Sequence, residues 1–435
     1  MTKNYKILLA IIISSIIGAN NTVTAQGSPA DSQSLSMALQ GGTIHIGNGE
    51  IIENGTVVFE KGLITYVGDE NQQAEKNIDV SGQHIYPGLI APNTRLGITE
   101  VDAVRSTRDF AEVGQYNPHI RALIAYNTDS DIIPTVRSNG ILLAEITPSG
   151  GIISGQSSIV QLDAWNWEDA VYNSGSDEYK PAGIHLNWPS PYKYDRSINA
   201  TTANDSYKEN VDRIYKEFAE ARAYQKIEGT PDPENLRFEA MAPVFDKSVR
   251  VFVHVNHKKG ILDVIQFGES FGLKIVITGG NEAWKVADYL AEQEVPVVIN
   301  ATQRLPQSDD SSIDQPFKMA SILEDANVLW CFSHHGSWEQ RNLPFQAGQA
   351  VGFGLDQEAA IRALTLNTAK IYGIDQTLGS IEKGKDATIV VSDGNIMDPQ
   401  SSIILHAFIN GRTIDLDNKH KELYRKFGSK YGILD

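Results

Sequence analysis

The sequence predicts a mixed α/β fold, with a barrel of strands and helices in the middle and a small β domain built from both chain ends. Two observations indicate this. The middle of the chain alternates apolar strand patterns with helical ones, and short strand patterns recur near both termini. Several middle strands are continuous apolar runs, as expected when both faces of a sheet are covered. A closed barrel fits better than an open sheet, although spacing alone does not decide between them.

The first 25 residues have the three parts of a signal peptide. Lys3 and Lys6 give a basic start, residues 7–17 form a short apolar run, and residues 23–25 (VTA) fit a small-residue cleavage site. The run is shorter than the roughly 20 residues needed to span a membrane. We therefore predict that the mature chain works in the periplasm or outside the cell, without a membrane anchor.

The composition limits the partners. The chain has 435 residues, 41% of them hydrophobic, and a formal net charge of −17. Such an acidic chain is a poor candidate for binding nucleic acid. Cys331 is the single cysteine, so an internal disulfide is excluded and stability must come from the core. The expected ligand is a small molecule.

The two ends of the chain carry the predicted β domain. Residues 26–37 are small and polar, which favours a flexible lead-in. We predict a β-sandwich from residues 38–85 and 376–416, followed by a tail at 417–435. The Lys61-Gly62 pair is expected to form a hairpin turn. The predicted end strands are 43–46, 56–60, 63–67, 388–391, 403–409 and 412–414.

The barrel is predicted over residues 86–375. Helices are expected at 261–271, before Gly272, and at 283–294, before Pro296. Residues 165–240 are irregular and rich in Trp, Tyr, Asn and Pro, with one polar helix at about 205–227. We interpret them as an insertion, either on the loop face that carries a barrel's active site or as a solvent-facing decoration. The predicted barrel strands are 85–90, 140–146, 184–186, 249–255, 274–278, 295–300 and 328–333.

Three segments carry a family resemblance. Residues 86–97 read YPGLIAPNTRLG, residues 251–299 begin VFVHVNHKKG, and residues 361–391 read IRALTLNTAKIYGIDQTLGSIEKGKDATIVV. Together with the glycine-rich stretch 149–165, they resemble the amidohydrolase superfamily, in particular its secreted imidazolonepropionase-like branch. The resemblance implies a TIM-type (β/α)8 barrel with a composite β-sandwich. In the last segment Gly373 is expected to end a helix in a left-handed conformation.

The resemblance also implies a metal site at the carboxyl ends of the barrel strands, but the sequence departs from it. The two first-strand histidines of the family pattern are replaced by Asn93 and Arg95, and the strand-six histidine by Gly279. A guanidinium has no lone pair and repels a cation. The strand-five histidine is retained as His254. No binuclear centre is therefore expected.

The remaining site assignments rest on the same alignment. The strand-four lysine corresponds to His185 and the strand-eight aspartate to His334. We expect at most one divalent ion, with zinc the candidate, held by His254 with His185 or His334, or no metal at all. The alternative is a set of hydrogen-bonded histidines left from an ancestral site. His257 and His335 are expected in loops or behind the site.

Two functions remain open. The first is an exported hydrolase of carbon–nitrogen bonds other than peptide bonds, in which His334 moves the proton as the catalytic residue. In it, Asn93 and Arg95 bind substrate, with Arg95 on an anionic group such as a carboxylate. The second is an inactive pseudo-hydrolase that binds a ligand or serves as a partner subunit. A second copy or a related amidohydrolase subunit is the candidate protein partner.

Overall fold

The computed structural model describes residues 28–173, 179–229, 232–308 and 311–434. The predicted signal peptide, residues 1–25, lies outside the described residues and stays a prediction. In the described part of the chain, every helix falls short of the length and apolarity that a membrane crossing requires.

Strands and helices alternate through the middle of the described chain, as the sequence pattern predicted. The strands are, in chain order, β1 (Met37–His45), β2 (Ile51–Glu60), β3 (Leu63–Gly68), β4 (Lys76–Asp79), β5 (His84–Pro87), β6 (Leu89–Thr94), β7 (Ile141–Ile146), β8 (Ile153–Gln161), β9 (Gly183–Asn187), β10 (Tyr192–Asp195), β11 (Ala200–Ala203), β12 (Arg250–Val255), β13 (Ile275–Gly279), β14 (Val297–Ile299), β15 (Trp330–Phe332), β16 (Ile389–Ser392), β17 (Ile404–Ile409) and β18 (Arg412–Thr413). The α-helices are α1 (Ile132–Arg137), α2 (Trp167–Ala170), α3 (Tyr207–Tyr224), α4 (Leu236–Glu239), α5 (Ala242–Phe245), α6 (Lys258–Phe271), α7 (Ala287–Glu292), α8 (Gln315–Asp325), α9 (Leu343–Gly352), α10 (Gln357–Leu364), α11 (Leu366–Tyr372) and α12 (Lys419–Tyr431).

Both ends of the chain contribute to one β-sheet. Its strand order is β18-β17-β16-β5-β1-β2-β3, and β4 pairs with β1. The two ends join where β5 runs antiparallel to β16, with Tyr86 opposite Val390. Lys61 and Gly62 connect β2 to β3 with positive φ values of 52° and 82°, which forms the predicted hairpin turn. Strands from both chain ends thus share one sheet, and the β-sandwich domain predicted from residues 38–85 and 376–416 stays a prediction.

A second sheet forms a nearly closed barrel. Its strands follow the order β6-β7-β8-β9-β12-β13-β14-β15. Among the described residues, the edge strands β6 and β15 are not paired with each other. Helices α10 and α11 pack against both of them. The two helices therefore cover the opening between the edge strands.

One barrel strand departs from the predicted parallel alternation. Strand β8 runs antiparallel to both β7 and β9, whereas the other barrel neighbours are parallel. The sequence analysis missed β8 because its first six residues, ISGQSS, are mostly small and polar. These six residues are nevertheless buried in the folded protein.

The predicted insertion at 165–240 contains a barrel strand, β9, as well as peripheral elements. The hairpin β10–β11 and the polar helix α3 also lie within it. Helix α3 is shorter than the predicted 205–227. It packs its apolar side on α6 through Phe218 and Phe267, whose ring centroids are 4.9 Å apart.

Helix ends follow the sequence pattern closely. Helix α6 ends at Gly272 with φ 69°, and α11 ends at Gly373 with φ 70°. These left-handed caps are the ones that glycine adopts most easily. The predicted helix at 283–294 is divided into a 3₁₀ turn, Ala283–Val286, and α7.

A buried ion-pair group connects the shared sheet to the barrel. Asp163 accepts hydrogen bonds from Arg137 at 2.7 Å and from Arg412 of β18 at 2.8 Å. The backbone N–H of Ala30 also donates to Asp163 at 2.9 Å. The described part of the predicted lead-in is therefore attached to the barrel at this point.

Candidate functional site

The candidate site is centred on Glu145, which lies near the carboxyl end of β7 and is fully buried. Its carboxylate accepts a hydrogen bond from the backbone N–H of Asn93 at 2.8 Å and one from the hydroxyl of Tyr372. Its other oxygen lies 3.0 Å from Nε2 of His185. Burial would raise the pKa of Glu145, but the charge of His185 and hydrogen bonds from His185, Tyr372 and Ser157 lower it to about 2.

The buried carboxylate begins a chain of two imidazoles. Nδ1 of His185, on β9, lies 2.9 Å from Nε2 of His254, on the neighbouring strand β12. Because a carboxylate only accepts hydrogen bonds, Nε2 of His185 carries a proton. When His185 is neutral, its Nδ1 accepts from the Nε2–H of His254 and Nδ1 of His254 keeps its lone pair; when His185 is protonated, its Nδ1–H donates to Nε2 of His254 instead.

His254 is neutral at physiological pH. Burial, followed by the positive charges that His185 and His335 can carry, lowers the pKa of His254 to about 3, against a smaller opposing effect of Glu145. An unprotonated imidazole at the end of a buried hydrogen-bonded chain can accept a proton.

A fourth side chain, His335, joins this group from the loop after β15. Burial and the nearby charge of Arg95 lower the pKa of His335 to about 4, while a hydrogen bond with the backbone of Asn93 raises it. His334 lies differently, because its Nδ1 accepts from the backbone N–H of Gly336 at 3.2 Å. The residue beside Asn93 and Arg95 is thus His335, which the sequence analysis expected in a loop or behind the site.

Arg95 supplies the positive charge of the site. Its guanidinium lies 3.8 Å from the centroid of the Phe110 ring, and Nη2 donates to Ser149 at 3.3 Å. Nε of Arg95 is buried and has no hydrogen-bond partner within the described part of the chain. Among the described residues, no carboxylate forms an ion pair with Arg95. The guanidinium is therefore available to an anionic ligand.

Two cavities are lined by neighbours of the site residues. One of about 420 Å³ is lined by Phe110 and Pro148, next to the guanidinium of Arg95. The other, of about 400 Å³, is lined by Tyr116 and by Asn187, which pairs with His254 in the sheet register. The described residues that line the two cavities do not include Arg95, Glu145 or the imidazoles of the site.

At Gly279, the last residue of β13, amide side chains occupy the space that the strand-six histidine of the family pattern would need. A Cβ atom on Gly279 would lie 2.6 Å from Oδ1 of Asn256 and 3.3 Å from Nδ2 of Asn300. Asn300 also donates to Oδ1 of Asn281 at 2.9 Å. Together with the φ of 95° at Gly279, this network leaves no room for a side chain at that position.

The residues of the site do not fit the metal centre that the family resemblance implies. Both ring nitrogens of His185 are engaged, one by Glu145 and one by His254. Asn93 and Arg95 supply no imidazole. Across the described residues, no group of three or more His, Cys, Asp or Glu side chains is arranged to hold a metal ion, and a protein zinc site commonly uses at least three protein ligands.

The structure brings four of the predicted residues into one connected group, namely Asn93, Arg95, His185 and His254. Their predicted roles, and that of His334, remain predictions. Glu145, Tyr372 and His335 were missed. Glu145 had a visible signal in the sequence, because it is the one charged residue in the apolar strand ILLAEI.

Comparisons with known proteins agree with this architecture. Residues 333–415 match the model of the Amidohydrolase family. The amidohydrolase tasK of Hapsidospora irregularis is 19% identical over 377 residues, which cover 78% of this chain. The chain spans only 38% of the length of that curated relative.

Solved structures show the same fold. An amidohydrolase from Thermotoga maritima MSB8 superposes with a TM-score of 0.74 at 22% identity, covering 87% of this chain and 99% of the other. A Xaa-Pro dipeptidase superposes with a TM-score of 0.55 at 15% identity, covering 87% and 100%. The A. niger ochratoxinase gives 0.53 at 14% identity, covering 88% and 96%. At these identities the solved structures show the fold that the chain shares with them.

Proposed function

We propose that this chain belongs to the amidohydrolase superfamily and is an exported hydrolase of carbon–nitrogen bonds other than peptide bonds. The observation that carries the proposal is the hydrogen-bonded chain Glu145–His185–His254 at the carboxyl end of the barrel, next to Arg95. In barrel enzymes this end holds the active site. The imidazolonepropionase-like branch and the periplasmic or secreted location are part of the proposal, and the sequence of residues 1–25 supports the latter.

The proposed role of the imidazoles is to take a proton from the attacking water. Glu145 is held by Asn93 and Tyr372 and fixes the ring of His185, which in turn orients His254. Nδ1 of His254 is the acceptor at the end of this chain. A general base contributes about 10²–10⁴-fold to a rate when its pKa lies near the working pH, so the proposal requires bound substrate to raise the pKa of His254 from about 3. His335 is placed to handle a second proton, in the role that the alignment gave to His334.

The proposed role of Arg95 is to bind an anionic group of the substrate. Its guanidinium is fixed on Phe110 and is not neutralised by a carboxylate within the described residues. A substrate carboxylate would form charge-assisted hydrogen bonds there. It would also offset the positive charge of Arg95, which lowers the pKa of His335. His335 would then be a stronger base when the substrate is bound. The proposed substrate is a small amide that carries a carboxylate.

No step of this proposal uses a metal. We still predict at most one divalent ion, held by His254 with His185 or His334, and elemental analysis can test this. A second copy, or a related amidohydrolase subunit, stays the predicted protein partner.

A matched substrate panel tests the function. Purified protein is incubated with N-acyl amino acids and with the same compounds converted to carboxamides, and the released amine is measured. We expect hydrolysis of the carboxylates, a loss of at least about 100-fold in His254→Asn, and normal rates in the control His406→Asn, which lies on β17 of the shared sheet. Binding without hydrolysis in the wild-type protein would overturn the enzyme and favour the ligand-binding alternative.

A further inference from the structure

The C-terminal helix α12, Lys419–Tyr431, projects most of its surface into solvent. Of its 13 residues, only Gly428 is buried. The helix is attached near its start, where Asn418 donates to Oγ of Ser138 at 3.0 Å. The ring of His420 meets that of Trp338 edge-on, with centroids 5.8 Å apart. Packing against the body therefore does not explain the composition of its outer surface.

The exposed surface of α12 has an apolar side. At 3.6 residues per turn, Leu423, Tyr424, Phe427 and Tyr431 fall within one sector of about 100°. Tyr424 is 59% and Tyr431 67% exposed, and Ile433 follows directly after the helix. Large aromatic side chains grouped on one side of an exposed helix mark a contact surface.

The remaining sides of α12 are basic. The helix holds four lysines and one arginine against a single acidic residue, Glu422, which gives +4 within a chain of −17. The rest of the chain therefore carries −21. The ammonium groups of Lys426 and Lys430 lie 5.7 Å and 5.2 Å from the rings of Phe427 and Tyr431. These lysines thus border the aromatic sector.

This combination decides which partner fits. The contact surfaces of protein complexes are depleted in lysine, and α12 places two lysines at the edge of its apolar side. A helix with an aromatic side and a lysine-rich polar side is typical of proteins that lie in the headgroup layer of a membrane. There the apolar side enters the acyl boundary while the lysines reach the phosphates.

We propose that α12 binds the surface of a membrane containing anionic lipids. The helix lies flat on the membrane and does not span it. Because the rest of the protein carries −21, the same membrane repels it, so that α12 is the oriented point of contact. The attraction should weaken as salt screens it.

Vesicle sedimentation tests the proposal. Purified protein is mixed at low salt with vesicles of equal parts phosphatidylglycerol and phosphatidylcholine, or of phosphatidylcholine alone. We expect co-sedimentation with the anionic vesicles, little with the neutral ones, and release in high salt. Failure to bind the anionic vesicles at low salt would overturn the proposal.

Variants locate the contact. The double variant Phe427→Ser and Tyr431→Ser should lower partitioning about tenfold or more, and Lys426→Ala and Lys430→Ala about fivefold each. Trp165→Ser, which removes an equally exposed aromatic ring elsewhere, should bind as the wild type does. Unchanged binding of the double variant would overturn the proposal. So would light scattering that shows a dimer dissociated by it, because the face would then belong to a second copy.

Discussion

Nε2 of His185 and Oε1 of Glu145 lie 3.0 Å apart, and both side chains are fully buried. A buried carboxylate is stabilised only when its oxygens accept well-placed hydrogen bonds. Glu145 receives them from the hydroxyl of Tyr372 on α11, the backbone N–H of Asn93 near the end of β6, and the imidazole of His185 on β9. The pair therefore joins three parts of the barrel, and its loss should affect stability as well as activity.

Single substitutions at either end of these hydrogen bonds should show the contribution of Glu145 to stability. Tyr372→Phe deletes one hydrogen bond to Glu145 and should lower the free energy of unfolding by about 1–3 kcal/mol. Glu145→Gln places an amide among three donors and should cost about 3–5 kcal/mol. Urea unfolding measures both, with Tyr192→Phe on the exposed hairpin as the control. Equal stability of Tyr372→Phe and the control would contradict this account of the site.

Acid should destabilise the protein before its carboxylates titrate. The pKa of His254 falls to about 3 and that of His335 to about 4 in the folded protein, from an ordinary 6.5. At a pH between the folded pKa and the ordinary 6.5, each histidine binds a proton in the unfolded chain but not in the folded protein. Stability should therefore decrease as the pH falls from 6.5, by up to about 1.4 kcal/mol per pH unit for each group.

Unfolding free energies measured from pH 7 to about 5.5 test this before Glu145, whose ordinary pKa is 4.5, contributes to the slope. His254→Asn should give a shallower slope than the wild type, while His119→Asn, a change at an exposed position, should not. Identical slopes for all three proteins would show that His254 titrates normally.

Arg95 should determine the preference for an anionic substrate. Arg95→Ala should weaken binding of a carboxylate ligand by about 1–3 kcal/mol, seen as a higher KM, while KM for the matching carboxamide changes little. Arg95→Lys should retain part of the preference, since it keeps the charge but not the planar contact with Phe110. An unchanged carboxylate preference in Arg95→Ala would leave Arg95 with only a packing role.

A side chain at position 279 should not be tolerated. Gly279→Ala places a Cβ against Asn256 and should cost about 1–3 kcal/mol more than Gly384→Ala. Gly384 is a suitable control because its φ is also positive, 92°, with no atom within 4 Å of the added Cβ. Thermal unfolding compares the two, and Asn256→Ala should reduce the penalty at position 279. Equal penalties for the two glycine variants would exclude the clash as the cause.

The protein should not hold two metal ions. Asn93, Arg95 and Gly279 stand where the family pattern has imidazoles, so at most one equivalent is expected. Elemental analysis of untagged protein dialysed against dilute zinc measures it. One equivalent that disappears in His254→Ala would support a single-metal hydrolase, whereas two tightly held equivalents would contradict the prediction.

Local signals made much of the fold predictable. Apolar runs located the parallel barrel strands, and Gly272 and Gly373 located two helix ends. Strand β8 escaped detection because its buried residues are small and polar, and such residues satisfy their hydrogen bonds through contacts that only the folded chain supplies.

The candidate site was predictable in position more than in detail. The family resemblance pointed to Asn93, Arg95 and His254. The choice between His334 and His335 could not be made, because adjacent loop residues differ only in which side chain turns inward. Tyr372 lies 227 residues from Glu145, and no local pattern connects two residues so far apart.

The pairing of β5 with β16 has a consequence for biosynthesis. About 300 residues separate Tyr86 from its partner Val390, so a ribosome needs about 15–60 s to pass from one to the other. During that interval the edge of β5 has no partner and can pair with other nascent chains. A chain stalled before β16 should therefore be prone to aggregation, even when most of its barrel has been made.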